Sequence, residues 1–212
     1  DPRQPTPSSA KSEDFLLKAP ELSLPRGGGA MKGIGEKFAA NPVTGTGSMS
    51  IPLALSPGRG GFGPQLALAY DSGAGNGPFG LGWSLGLPSI QRKTDKGLPR
   101  YDDANESDVF LLAGAEDLVP VDHADETTRL AGKQYHVRRY RPRIEGLFAR
   151  IERWVEVGMP ANTFWRSISR DNVTTWFGRS EDSRILDLDN PARIFQWLIC
   201  QTHDDKGNVA LY

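Results

Sequence analysis

The sequence predicts a mainly β chain, antiparallel and built of turn-rich hairpins and a meander, and three observations carry that expectation. Gly 24 and Pro 16 together make 40 of the 212 residues, and each interior Gly costs a helix about 1 kcal/mol and each Pro about 3. Seventeen of the glycines fall between Gly27 and Gly86, so tight turns and close backbone approaches concentrate there. Beyond Gly146, short segments that mix aromatic and β-branched residues with Arg or Ser recur at period two, the pattern of half-buried strands.

Taken in order, residues 1 to 20 (DPRQPTPSSAKSEDFLLKAP) hold four prolines and few apolar groups, the composition of a disordered tail. From Ser48 the chain alternates, with Met49, Ile51, Leu53 and Leu55 on one face and Ser48, Ser50, Ala54 and Ser56 on the other. SPGRGGFG at 56 to 63 supplies turn residues, and Leu66, Leu68 and Tyr70 resume the period, giving a hairpin with a long loop. After SGAGNGPFG, a third strand places Leu81, Trp83, Leu85 and Leu87 opposite Gly82, Ser84 and Gly86, a small-residue face suited to close packing of another backbone. ARIERWV, TFWRSISR, VTTWF and RIFQWLICQTH then read as a meander holding Trp154, Trp165, Trp176 and Trp197. One Trp per strand indicates core rather than a sugar- or choline-binding platform. Residues 194 to 201 also fit a buried helix, with Asn190 as cap and Pro191 at its first position. Strand is preferred because DDKGN at 204 to 208 is hairpin chemistry and VALY alternates after it. The chain stops inside that pairing and begins at Asp1 rather than Met, so it is expected to be a trimmed piece of a larger protein.

Charge and cysteine content narrow the function classes. Lys plus Arg come to 25 against 26 for Asp plus Glu, a net charge of -1, so no long-range field draws in nucleic acid or anionic lipid. Cys200 is the single cysteine, which excludes an internal disulfide framework and a Cys-built metal site within this chain. Uninterrupted apolar runs are only a few residues long, too short for a membrane-spanning helix. Charges separate along the middle of the chain. Nine carboxylates and no base lie between Asp102 and Glu126, and eight bases against Glu145 and Glu152 lie between Arg129 and Arg153. Solvated loops and outer strand faces that pair weakly, at about 0 to 1 kcal/mol per exposed pair, account for this. An interface patch for a partner is the sharper alternative.

No short motif carries chemistry. GWSLG at 82 to 86 matches the nucleophile-elbow pattern around Ser84, but Pro88 would break the helix that the elbow requires. His123, His136 and His203 stand in no acid–base setting. The glycine runs at 27 to 29 and 73 to 80 lack the Lys-Ser/Thr of a phosphate loop. LDLDNP lacks the Gly and terminal Glu of a calcium loop. Asn105 and Asn172 head glycosylation sequons by pattern alone, and the Arg138 to Arg143 run RRYRPR reads as a charged strand face. Catalytic, cofactor-binding and metal-ligating residues are all expected to be none.

Longer strings identify a resemblance. RGGGAMKGIGEKF, NPVTGTGSMSIPLALSPGRGGFGPQLALAYDSGAGNGPFGLGWSLGLPSI, RKTDKGLPRYDDANESDVFLLAGAEDLVPV and YRPRIEGLFARIERW closely resemble the SpvB-type N-terminal domain. That domain opens the virulence-plasmid B protein and the B component of Tc (ABC) insecticidal toxin complexes. FGLGWSL and the terminal W-x-L…DDKGN…Y hairpin also look like Rhs/YD-repeat features. The resemblance covers residues 21 to 212 and leaves the tail outside. It implies one β domain cut from a larger protein and forming part of a hollow β shell. In Tc toxins that shell is completed by the C component, encloses a toxic C-terminal fragment and delivers it through the A-component channel. The implied partners are other regions of the same toxin chain, the C component and the A component, in a secreted particle made in the bacterial cytoplasm, with no nucleic acid and no direct membrane insertion. In the virulence-plasmid protein a similar domain precedes an ADP-ribosyltransferase. That activity needs an Arg, an S-T-S strand and an E-x-E, and here there is no S-T-S and Glu152 and Glu156 stand four apart. Two classes remain: a non-enzymatic shell module, and a binding or secretion module of some other effector.

Overall fold

The computed structural model describes residues 37–41, 45–56, 58–114, 116–121, 125–144, 146 and 148–212. The expected tail at 1 to 20, and the first residues of the domain after it, lie outside these. Within the described residues the regular structure is β-strand, apart from three single 3-10 turns at Arg59–Gly61, Asp103–Asn105 and Glu181–Ser183.

The first part of the chain forms β1 (Lys37–Asn41), β2 (Thr46–Leu53), β3 (Leu66–Asp71), β4 (Asn76–Gly77), β5 (Gly80–Leu81) and β6 (Trp83–Leu85). Four of these make an antiparallel sheet in the order β1-β2-β3-β6, while β4 and β5 form a small hairpin. The expected β2–β3 hairpin is present, with Met49 opposite Tyr70, Ile51 opposite Leu68 and Leu53 opposite Leu66. The expected single strand from Leu81 to Leu87 is instead broken at Gly82. That residue has φ +78, and an added Cβ would lie 2.6 Å from the Tyr70 ring and 2.8 Å from the Asp71 carbonyl oxygen. Of the small-residue face only Gly82 approaches another backbone, that of β3 in the same sheet, through a left-handed kink that only glycine adopts cheaply. Ser84 is exposed and an added Cβ at Gly86 would meet nothing, so the expected packing of a backbone on this face is not seen among the described residues.

The remainder supplies β7 (Ser89–Arg92), β8 (Phe110–Leu112), β9 (Glu116–Pro120), β10 (Glu126–Leu130), β11 (Lys133–Pro142), β12 (Arg150–Glu156), β13 (Met159–Ile168), β14 (Thr174–Phe177), β15 (Arg184–Leu186), β16 (Ile194–His203) and β17 (Val209–Leu211). Eight of them close on themselves in the order β11-β12-β13-β14-β16-β7-β8-β9, with β9 returning to β11. All pairings are antiparallel. The flanking strands β10, β15 and β17 attach to β11 and β16. The preference for strand over helix at 194 to 201 is borne out, because β16 pairs with four strands. The DDKGN hairpin after it is built on Asp204, whose Oδ1 accepts from the Lys206 and Asn208 backbone N–H groups.

An eight-stranded barrel has an interior just wide enough for side chains to fill, and here every strand contributes. Ile90, Phe110, Leu112, Leu118, Tyr140, Ile151, Trp165, Phe177, Ile194, Trp197 and Ile199 form one buried cluster. Phe110, Trp165 and Trp197 meet edge-on at 5.0 to 5.9 Å, the arrangement aromatic quadrupoles favour. The Trp197 indole donates to the Thr163 carbonyl at 2.8 Å. Its ring fits because position 178 carries no side chain: Gly178 has φ +67, and a Cβ there would lie 2.2 Å from the Trp197 ring. The outward-alternating Tyr135, Val137, Trp154, Phe164 and Trp176 form a second buried cluster on the other face, against Leu130 and Cys200. All four meander tryptophans are therefore core, as their spacing predicts.

Trp197→Ala should lower the free energy of unfolding by about 3–5 kcal/mol, the cost of emptying a packed aromatic site. Leu188→Ala, at a residue 90% exposed, should stay within about 0.5 kcal/mol. Urea unfolding followed by far-ultraviolet circular dichroism measures both, and equal shifts would show that the barrel interior is not the stabilising core.

Candidate functional site

One end of the barrel is closed by the 17-residue connection between β7 and β8, residues 93 to 109. Its anchor is Arg92, the last residue of β7, which alternation places on the inner face with Ile90. Arg92 is 1% exposed, a position that a guanidinium tolerates only when paired and fully hydrogen-bonded. Nε donates to the Ile194 carbonyl at 2.8 Å. Nη1 donates to Asp103 Oδ1 at 2.6 Å and Asp108 Oδ2 at 2.8 Å, and Nη2 to Asp103 Oδ2 at 2.9 Å. The guanidinium also lies 4.8 Å from the Tyr101 ring centroid, 5.1 Å from Phe110 and 5.6 Å from Trp197, within cation–π range.

The two carboxylates fix the loop in turn. Asp108 Oδ1 and Oδ2 accept the Arg100 and Tyr101 backbone N–H groups at 2.8 Å each. They hold Tyr101 at φ 59, a left-handed conformation that is costly for a bulky residue and persists only when its surroundings over-determine it. Asp103 also accepts from Arg153, on the inner face of β12. Burial pushes the Asp103 carboxyl up, but the hydrogen bond from Arg92 and the charges of Arg153 and Arg92 outweigh it and hold the group below its ordinary value. Burial pushes the Tyr140 phenol beside this cluster up. A cavity of about 110 Å³ lies here, lined among others by Asp103, Glu106, Asp108, Tyr140, Arg143 and Arg153. It has room for a few waters at about 30 Å³ each.

On the outer face, Glu152 is 0% exposed. It accepts from Trp154 Nε1 at 3.0 Å and Arg166 Nε at 2.8 Å, and from Arg150. Arg166 lies over Trp154 at 4.7 Å and Trp176 at 5.6 Å. The expectation of weak, solvated pairing between the acidic and basic stretches is thus half right. Arg143–Asp117 and Arg150–Glu126 are exposed or half-exposed pairs, and Lys93, with help from Arg143, holds Asp117 below its ordinary value. The Asp103–Arg153 pair, by contrast, is part-buried, and Glu152, which belongs to the basic stretch, is buried on the outer face with Arg150 and Arg166. The correction has a physical reason: the β7–β8 connection folds Asp103 onto Arg92 of β7 and Arg153 of β12. The RRYRPR run lies on β11 and at its end, and it alternates as a charged strand face would. Tyr140 and Pro142 are buried on the inside, while Arg141 is exposed outside.

The weighed motifs take structural places. Ser84 is exposed on β6 opposite Ala69, with no helix behind it. Residues 73 to 80 make turns and the β4–β5 hairpin. Asp187 caps its own loop, accepting from the Asp189 backbone N–H and pairing with Arg193. Asn105 donates to Asp102. Among the described residues no group of three or more His, Cys, Asp or Glu converges as a metal site would require. The sequence reading missed Arg92. Its signal was the Ser89–Arg92 alternation, which places Arg92 on the face of Ile90.

A family model described as the Salmonella virulence plasmid 65kDa B protein, SpvB, matches residues 41–212. The mono(ADP-ribosyl)transferase SpvB of Salmonella choleraesuis is 36% identical over 200 residues, which cover 90% of this chain and 32% of that protein. Its Salmonella typhimurium counterpart is 35% identical over 199 residues, 89% of this chain and 32% of that one. The chain thus spans about a third of these curated relatives. Among solved structures, the Photorhabdus luminescens Tc holotoxin pore superposes with a TM-score of 0.77 at 37% identity, covering 95% of this chain and 9% of that one. The TcdB2-TccC3 crystal structure gives a TM-score of 0.76 at 37% identity, with 92% and 9% coverage. The N-terminal domain of effector protein SpvB from Salmonella typhimurium strain LT2 gives 0.64 at 34% identity, with 73% and 50% coverage.

Asp103→Asn should destabilise the chain by about 3 kcal/mol, because it leaves Arg92 and Arg153 short of buried negative charge. The carboxyl is more acidic folded than unfolded, so its stabilisation is complete above the unfolded value near 3.8. It is lost as pH falls through the lower folded value. Unfolding free energies between pH 7 and pH 2 should fall more steeply at the acid end for the parent than for the variant. Parallel curves would remove Asp103 as the anchor.

Proposed function

The chain belongs to the SpvB family, and from that premise we propose that it is a non-enzymatic wall and assembly module of a secreted bacterial toxin. In this reading it forms part of the hollow β shell that encloses a toxic C-terminal effector before delivery. Its partners are other regions of the same toxin polypeptide, the C component that completes the shell and the A component that delivers the cargo. The observation that carries the reading is the filled barrel. All eight strands spend their inner faces on packing one another and on burying Arg92, so the domain offers stiffness and outer surface rather than a substrate cleft. The agreement with Tc complexes over 92 to 95% of the chain supports the same reading.

A second reading has its own observation in favour. The curated relatives are named as mono(ADP-ribosyl)transferases, and this chain matches only 32% of their length. In that case the domain is an N-terminal binding or secretion module of an effector whose transferase lies outside it.

Both readings predict that the purified chain transfers no ADP-ribose, hydrolyses no NAD and cleaves no activated ester. Ester turnover above background that disappears in Ser84→Ala would overturn the non-enzymatic assignment. The full gene product separates the two classes. As a shell wall, it should shield a co-purified toxic component from trypsin, and Trp197→Ala should open it to cleavage. If that product instead binds no such component and labels host protein with ADP-ribose from NAD, the effector reading replaces the shell.

A further inference from the structure

The outer face of the ring carries a basic patch across β11, β12 and β13. Directly opposed residues of antiparallel strands share a face, so the register fixes two neighbouring rows. In one row Arg139 stands opposite Glu152, Glu152 opposite Arg166, and Arg166 opposite Trp176. In the next, Val119 of β9 stands opposite Arg141, and Arg150 opposite Ile168. The β11–β12 register, continued by one residue past Tyr140 and Ile151, sets Arg141 beside Arg150. Four arginines from three adjacent strands therefore share one small area, with Arg141 and Arg150 exposed and Arg139 and Arg166 half-buried.

Their countercharge is short. Glu152 is fully buried, and its carboxylate already accepts from Arg150, Arg166 and the Trp154 indole. Glu126 on β10 lies 3.6 Å from Arg150. Two carboxylates thus face four guanidinium groups, and among the described residues neither Arg139 nor Arg141 belongs to an ion pair. Arg139 Nε is buried without a hydrogen-bond partner. Like charges side by side on one sheet face are destabilising, and a buried donor left unpaired is costly. An anion laid across the patch relieves both.

The geometry selects which anion. A guanidinium holds a carboxylate through two parallel N–H···O bonds in a fixed plane. Arg139 and Arg141 alternate on one strand and so stand about 6.8 Å apart, the spacing of alternate side chains in any extended peptide. Val119 and Ile168, both half-buried, border the arginines and offer apolar contact to the stems of such side chains. Nucleic acid fits less well. Three strands span roughly 10 Å, room for about three phosphates of one strand, whereas phosphate-backbone binding uses roughly 6–10 contacts. The net charge of -1 adds no wider field to hold a long polyanion.

We propose that the patch formed by Arg139, Arg141, Arg150 and Arg166 is the docking site for an acidic polypeptide segment. Carboxylates at alternate positions of that segment pair with Arg139 and Arg141, and their neighbours reach Arg150. The proposal goes beyond the shell assignment and does not rest on it, since it concerns the chemistry that the outer face recognises and holds for a shell wall and for an effector module alike.

The test titrates the whole chain into a fluorescein-labelled peptide of alternating Glu and Ser and follows fluorescence anisotropy. Saturable binding at about 50 mM salt should disappear at about 500 mM, because salt screens exposed charge pairs. Arg141→Glu should weaken binding about tenfold, since it turns an attraction into a repulsion. Arg141→Gln, which only removes the charge, should weaken it about threefold. Arg59→Glu makes the same charge change at an exposed residue of the β2–β3 connection and should leave the affinity as it was. Circular dichroism melts of each variant check folding, and the parent chain alone already decides the first question: no saturable binding at low salt overturns the proposal. Equal weakening by Arg59→Glu and Arg141→Glu overturns it too, because overall charge then explains the binding. So does a single-stranded oligothymidylate of the same charge that binds as tightly and loses as much in Arg141→Glu, since the patch then reads phosphate. Tenfold tighter peptide binding in the double variant Asp122→Asn, Glu145→Gln also overturns it, because the chain's own carboxylates are then the occupants.

Discussion

Closure of the barrel depends on β16. This strand takes β14 and β15 along one edge and β7 and β17 along the other, so it joins segments that are more than a hundred residues apart. Without the β16–β7 ladder the meander β11 to β14 would be an open sheet, and without β9 returning to β11 the ring would stay broken. Both joins are non-local, and each costs loop-closure entropy before any contact repays it. The repayment comes from the interior, where Trp197 and Ile194 of β16 meet Ile90 of β7 and Phe110 of β8 in one cluster. Closure and core are the same event.

Burial of Arg92 follows from that closure. Once β7 is paired to β16, the side chain alternating with Ile90 must point inward, and an arginine there needs carboxylates brought to it. The β7–β8 connection supplies Asp103 and Asp108, and the same Asp103 reaches Arg153 on β12. The long loop is thereby ordered by charge rather than by apolar burial. Its most apolar exposed residue, Leu98, is 92% exposed and contributes nothing to holding it. Such pairs add little net stability compared with apolar replacements but are costly to break. The cluster therefore acts as a fixing point for the loop more than as a source of folding energy.

Local alternation made much of this legible in the sequence. The β2–β3 hairpin, the meander, the core role of Trp154, Trp165, Trp176 and Trp197, and the DDKGN turn all follow from side-chain period and turn chemistry, both of which act over a few residues. The ring itself was not legible, because nothing in SIQR announces that its partner is FQWL a hundred residues on. The charge separation between Asp102 and Arg153 was visible, but its meaning depended on which strands became neighbours. Only closure brings Asp103 onto both Arg92 and Arg153 while leaving Glu126 exposed. Gly82 illustrates the opposite limit. Alternation runs smoothly through 81 to 87, and the strand breaks there because the Tyr70 ring and the Asp71 carbonyl leave no room for a Cβ.

A filled barrel confines whatever else the domain does to its outer surface and its strand edges. Among the described residues, β10, β15 and β17 each pair on one side only, with β11 or β16. They are short, five, three and three residues, which limits indiscriminate strand addition. Yet β10 and β17 lie beside long strands of ten residues, β11 and β16, which carry the ring's own pairing. A sheet can therefore grow outward from these flanks without disturbing the ring, since the ladders that close the barrel and those that would extend it use separate stretches of the same two strands. That division lets one domain be a rigid closed unit and still offer edges from which a larger β wall can continue.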